Sequence, residues 1–168
     1  IEISKIESGL LPIKSEIVDI NELLQYLNNF FRLRAQKKGL DLRIKSSAKA
    51  NNIKFRTDKY ILEGVLTNLI NNAIKYTDAG FVEVDCRIVN EKSLQFSVKD
   101  TGHGIENERK HAIFDRFVQA NLEHIRSIEG SGLGLSIVKG YVDRLKGKIW
   151  FESELGKGST FFFTIQEQ

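Results

Sequence analysis

One cysteine and one proline stand in 168 residues, and the formal charge at neutral pH is only +3. A lone thiol excludes a disulfide within the chain. That residue, Cys86, alternates with Val82, Val84 and Ile88 and reads as a small core side chain. No apolar run approaches the ~18 residues of a membrane span, and the amino terminus has neither the basic start nor the apolar run of a signal peptide. A cytoplasmic location is the expectation, with no membrane contact by this chain. The basic residues are scattered among acids rather than gathered into a stripe, so nucleic acid is not implied. Length and composition fit one soluble domain.

The first residues, IEISKIES to Gly9, look like the last turns of a helix closed by a glycine and then by Pro12. The division is therefore residues 1–12 as the end of a helix from elsewhere and residues 13–168 as the domain. Asp19 is an N-cap with Glu22 three residues on, so a helix is expected to about Lys38, where Gly39 ends it. Asp58 opens a second helix reaching about Tyr76. A third is expected over 133–145, with Leu135, Val138, Val142 and Leu145 on one face and Gly147 just past its end. Strands are expected near 13–18, 40–45, 52–55, 81–89, 93–100, 148–154 and 160–165. The fold class is α+β: a two-layer sandwich with helices on one face of a mixed, mostly antiparallel sheet.

Chemistry concentrates in a few places. In DTGHGI, the alternation of Leu94, Phe96 and Val98 puts Asp100 on the apolar face of its strand. A carboxylate aimed at a core needs hydrogen-bond donors, because an unpaired buried charge protonates instead. The exocyclic amine of an adenine would serve, and so would the backbone of the following turn. In NLINNAIKYT, Asn68, Asn72 and Lys75 fall within an arc of about 60° at the border of the apolar face. Asparagine oxygens suit a hydrated Mg²⁺, Lys75 can reach a phosphate, and Tyr76 can cover an aromatic ring; a solvated helix edge is the plain alternative.

GSGLGL, residues 130–135, sets three alternate glycines before a helix, leaving free amides at its positive end, although such glycines also make simple hinges. It is neither a Walker loop nor a GxGxxG turn. The residues between Ile105 and Gly130 hold IFDRFVQ and a polar stretch without sustained period. That length suggests a lid, with Phe114 and Phe117 as latches and Arg116 and Arg126 as phosphate contacts; a surface loop is the alternative.

Taken together, NLINNAIKYT, DTGHGI, IFDRF and GSGLGL, in this order and spacing, resemble the catalytic ATP-binding domain of bacterial sensor histidine kinases, within the Bergerat-fold ATPase group. ISKIESG resembles the end of that family's dimerization helix hairpin. The resemblance implies that Asn72 holds Mg²⁺, Lys75 contacts phosphate, Tyr76 packs on adenine and Asp100 accepts from the adenine amine. Gly102 and Gly104 would let the backbone approach the base. Gly130, Ser131, Gly132 and Leu133 would form the phosphate-side box, Phe114 and Phe117 the phenylalanine box, Arg126 the lid arginine, and Thr160 the polar residue near adenine. By the same resemblance Asn68, Ile105 and Gly134 would complete the nucleotide site, and Asn68, Lys75 and Arg126 would be the catalytic set.

Two departures sharpen what this implies. Where hydrolysing relatives carry a glutamate that activates water, this chain has Asn68, and an amide cannot act as a general base. Transfer to a partner group is then favoured over hydrolysis. The family's acceptor histidine, on a helix and followed by an acid and a proline, has no match among His103, His111 and His124. The implied function is a histidine-kinase catalytic domain that uses Mg-ATP to phosphorylate a histidine on a dimerization domain, for onward transfer to a response regulator. A nucleotide-binding module without transfer, or another ATPase or serine kinase of the fold group, is the competing expectation.

Overall fold

A computed structural model describes residues 12–46, 53–115 and 134–168. Asp19 Oδ1 accepts from the Glu22 amide at 3.0 Å and opens helix α1, Ile20–Lys37, directly after strand β1, Glu16–Asp19. The capping geometry expected at Asp19 is present, and Gly39, at φ 72°, ends the helix in the left-handed region. One stripe of α1, namely Ile20, Leu23, Leu24, Leu27, Phe31 and Ala35, is buried, as a surface helix requires.

Strand β2, Leu40–Ser46, and strand β3, Lys54–Thr57, lead to helix α2, Lys59–Tyr76. Asp58 caps α2 through Oδ1 to the Ile61 amide at 3.1 Å, and its Oδ2 accepts from the Lys14 amide at 2.8 Å. The hairpin β4, Gly80–Asn90, and β5, Ser93–Asp100, follows. A short 3₁₀ turn at Asn107–Arg109, helix α3, Gly134–Arg144, and strands β6, Ile149–Glu154, and β7, Gly158–Gln166, complete the described chain.

The five-stranded sheet runs in the order β2-β4-β5-β7-β6. Its β2–β4 pair is parallel and the other three pairs are antiparallel, so the sheet is mixed and mostly antiparallel as expected. Strands β1 and β3 are not part of it. They pair with each other as a separate antiparallel ribbon, with Glu16 opposite Thr57 and Val18 opposite Phe55.

The inner face of the sheet carries Val82, Val84 and Cys86 of β4, Leu94, Phe96 and Val98 of β5, and Phe163 and Ile165 of β7, all buried. Phe96 and Phe163, directly opposite in register, stack with ring centroids 4.9 Å apart. Each such side chain contributes about 1.5–3 kcal/mol by leaving water. Cys86 is a core residue, and burial pushes its thiol up to about 12.

Val138 and Val142 of α3 and Leu145 just past its end are fully buried, and Leu135 packs at the margin of the core. The end of α3 differs in detail from the sequence reading. Lys146, not Gly147, takes the left-handed conformation, at φ 55°. Gly147 is required for space, because a Cβ there would lie 1.7 Å from the Thr164 carbonyl oxygen.

Candidate nucleotide site

Asp100 ends β5 on the inner face, 7% exposed, continuing the row of Leu94, Phe96 and Val98. Its Oδ1 accepts from the Gly102 amide at 2.9 Å and the Ser159 amide at 3.3 Å. Among the described residues nothing donates to Oδ2. Burial pushes the carboxyl above the usual carboxylate range, while the two amides and His103 partly offset that rise. The turn amide of Gly102 and the β7 amide of Ser159 thus share one carboxylate oxygen between them.

The loop after Asp100 is tied down at every second residue. Thr101 Oγ1 accepts from the Phe81 amide at 3.0 Å, and its backbone amide donates to Phe81 O. The His103 amide donates to Tyr76 O, the last residue of α2, and its ring Nε2 lies 2.6 Å from Asp78 Oδ2. The Ile105 amide donates to Ser153 Oγ at 2.8 Å.

At Gly102 and Gly104 the side on which a Cβ would stand is occupied by protein backbone. A Cβ on Gly102 would sit 2.3 Å from Tyr76 O, and one on Gly104 2.2 Å from Glu154 O. These glycines let the loop press against the end of α2 and the β6–β7 turn. Gly156 of that turn completes the contact by donating to His103 O at 2.7 Å.

Thr160 falls elsewhere than expected. It lies opposite Lys99 of β5 and Glu152 of β6, on the face of the sheet away from Asp100. Ser159 is the residue opposite Asp100: alternation backward from Ile165, Phe163 and Phe161 gives its face, and the register of β7 against β5 gives its partner.

Asn68, Asn72 and Lys75 are all half-buried along one edge of α2, as their spacing requires. Asn68 Nδ2 donates to Gly64 O at 2.8 Å, which turns Oδ1 outward. That oxygen lies 3.3 Å from where a Cβ would stand on Gly134, the first residue of α3, and the Asn72 amide atoms lie 3.8 and 4.0 Å from the same point. The two amides of α2 thus face the amino-terminal end of α3. The helices approach this closely because Gly64 accommodates the Tyr141 ring, which a Cβ would meet at 2.7 Å.

Lys75 Nζ lies 5.0 Å from the centroid of the Tyr76 ring, so the two residues sit together at the carboxyl end of α2. Lys38 holds that end in place, a role the sequence pattern did not signal. Its ammonium donates to Ile74 O, Lys75 O and Thr77 O, each at 2.8 Å, and burial lowers its pKa against the opposing effect of Asp78.

Phe114 meets Phe151 and Phe161 edge-on, at 5.9 and 6.4 Å, and so packs on the sheet. Ile105 is buried and His111 is exposed. Arg116, Phe117, His124, Arg126, Gly130, Ser131, Gly132 and Leu133 lie outside the described residues. So does the 1–11 segment. A groove of about 590 Å³ lined by Ile17, Glu22, Tyr26, Lys54 and Glu63 lies at the amino-terminal ends of α1 and α2, away from Asp100. Among the described residues no cluster of three or more His, Cys, Asp or Glu could hold a metal ion. No helix there is long and apolar enough to cross a membrane.

A two-layer sandwich with a buried carboxylate at the end of a central strand and paired amides facing a helix amino terminus defines an ATPase domain of the histidine-kinase type. The family of histidine kinase-, DNA gyrase B- and HSP90-like ATPases matches residues 57–168, and the chain belongs to it. Relatives along nearly its whole length are sensor kinases. It is 39% identical to the autoinducer 2 sensor kinase/phosphatase LuxQ of Vibrio vulnificus, over 98% of this chain and 20% of that protein. To the aerobic respiration control sensor protein ArcB of Escherichia coli it is 34% identical, over 98% of this chain and 21% of that protein.

The chain thus spans about a fifth of the length of these curated relatives. Among solved structures it resembles full-length ShkA in complex with AMPPNP, with a TM-score of 0.85 and 28% identity over 98% of this chain and 34% of that one. The catalytic domain of the histidine kinase ThkA gives a TM-score of 0.77 and 27% identity, over 92% and 96%.

Proposed function

We propose that this chain binds Mg-ATP between α2, α3 and the loop after Asp100. From there it delivers the γ-phosphoryl group to a histidine on the dimerization domain of its parent protein, for onward transfer to an aspartate of a response regulator. The parent would dimerise through that domain, with this domain in the cytoplasm, where ATP is available; residues 1–12 would be the end of its helix hairpin. The observation that carries the reading is the convergence of Asn68, Asn72 and Gly134. It joins two neutral oxygen donors to the positive end of α3 in one place, as a metal-bound polyphosphate demands.

Asp100 would accept from the adenine amine through its open Oδ2. Tyr76 would lie against the base and Lys75 would neutralise phosphate charge. Asn72 suits Mg²⁺ because that ion keeps most of its water and takes few protein ligands, so no acidic cluster is required. The ion would neutralise charge on the phosphates. Asn68 orients through its bond to Gly64 O and lacks the basicity to activate water. The domain therefore contributes position and charge neutralisation, the main demands of phosphoryl transfer. Arg126 of the lid would meet the transferred group.

Incubation with γ-labelled ATP and Mg²⁺ tests the proposal, with and without a separately prepared dimerization domain carrying the histidine. Label should appear only on the added domain. Labelling of the isolated chain, or no label on the added domain while ATP binds, would overturn it.

A further inference from the structure

Ser153 sits on β6, two strands away from Asp100, and matches none of the sequence boxes. It is directly opposite Ser159, which is directly opposite Asp100, so the three side chains form one polar row across β6, β7 and β5. Its hydroxyl is the meeting point of three segments. It accepts from the Ile105 amide at 2.8 Å, lies 3.2 Å from Gly158 O and lies 2.9 Å from Ser159 Oγ.

Ser159 in turn sends its backbone amide to Asp100 Oδ1. A hydroxyl has one proton and two lone pairs, so one group can receive the loop amide while sharing a proton with the hairpin. No hydrocarbon side chain could replace it. The loop from Thr101 to Ile105 is thereby clamped at its far end to the same hairpin that aligns the carboxylate at its near end.

We infer that Ser153 is a positioning residue for base recognition: it fixes the placement of the Asp100 carboxylate, and hence the preference for an amino-substituted purine, without itself touching the nucleotide. This rests on the reading of Asp100 as the anchor of the adenine amine.

Inosine triphosphate, which carries a carbonyl where ATP carries the amine, is the probe that isolates this effect. Affinities of the whole chain for ATP and ITP, each with Mg²⁺, are measured by calorimetry for the parent sequence, Ser153→Ala and Ser153→Thr. Ser153→Ala should weaken ATP about tenfold, the effect of losing one well-placed hydrogen bond, and leave ITP unchanged. Ser153→Thr, which keeps the hydroxyl, should restore the ATP preference.

Equal losses for both nucleotides would mark a merely structural role and overturn the inference. So would an unaltered ATP-to-ITP ratio in Ser153→Ala. If the parent chain itself binds the two nucleotides alike, the Asp100 reading falls and this inference with it. If the parent discriminates and Ser153→Ala discriminates equally, only the role of Ser153 is lost.

Discussion

Asp100 and Ser159 face each other across β5 and β7, and the Ser159 amide donates to Asp100 Oδ1 at 3.3 Å. The bond is made between residues 59 positions apart, and together with the Gly102 amide it uses one carboxylate oxygen fully. The second oxygen is the one the proposed adenine contact would use.

Asp100→Asn should abolish tight ATP binding while the fold persists. Two backbone amides demand an oxygen at the Oδ1 position, so the substituted side chain would present its NH₂ where Oδ2 stood. A donor would then face the donor amine of adenine. Losing a charge-assisted bond and gaining that mismatch should cost about 2–3 kcal/mol, roughly a hundredfold in affinity. Calorimetry measures the loss and circular dichroism the fold; unchanged affinity would remove Asp100 from the site.

The same substitution should raise the stability of the nucleotide-free domain near neutral pH. Burial lifts the Asp100 pKa in the folded state, so the folded chain holds its proton to higher pH than the unfolded chain. The protonated form favours folding. That contribution is complete below the ordinary carboxylate value of 3.8 and is lost as pH rises through the raised folded value. Thermal denaturation from pH 4 to 8 should therefore show the Asn variant gaining on the parent as pH rises. A constant difference across that range would contradict the assignment.

Gly64→Ala should separate α2 from α3. Its Cβ would stand 2.7 Å from Cε2 of the buried Tyr141 ring, a position from which a packed aromatic cannot easily retreat. Overpacking of this kind costs about 1–3 kcal/mol. Because Gly134 would move away from Asn68 and Asn72, Mg-ATP affinity should fall along with urea stability. A variant destabilised but unimpaired in binding would show that the amides do not act with the end of α3.

Two glycines with similar positive φ separate conformation from space. Gly156, at φ 81°, has nothing within 4 Å of a built Cβ, so Gly156→Ala should cost only the left-handed conformation, about 1–2 kcal/mol. At Gly104, with φ 72°, a built Cβ would stand 2.2 Å from Glu154 O. Gly104→Ala should be clearly more destabilising and should also weaken ATP binding, because the loop must leave the hairpin. Equal denaturation midpoints for the two variants would refute the contact.

Local signals in this chain were legible from the residues. Asp19 and Asp58 cap helices through bonds to amides three residues on, and the period of two that buries Val98 also buries Asp100. Asn68, Asn72 and Lys75 share one edge because 3.6 residues make a turn. These relations span a few residues and need no knowledge of the rest of the chain.

What tertiary structure alone decided are the partners across long separations. The register of β5 against β7 selects Ser159 over Thr160, and a slip of one position would reverse the faces. Close packing presses Gly102 and Gly104 onto backbone, sends Lys38 to the end of α2, sets β1 and β3 apart as their own ribbon, and makes Ser153 the neighbour of a loop 48 residues away. Such contacts depend on how faces of the same apolar character fit together in space, which periodicity identifies but cannot pair.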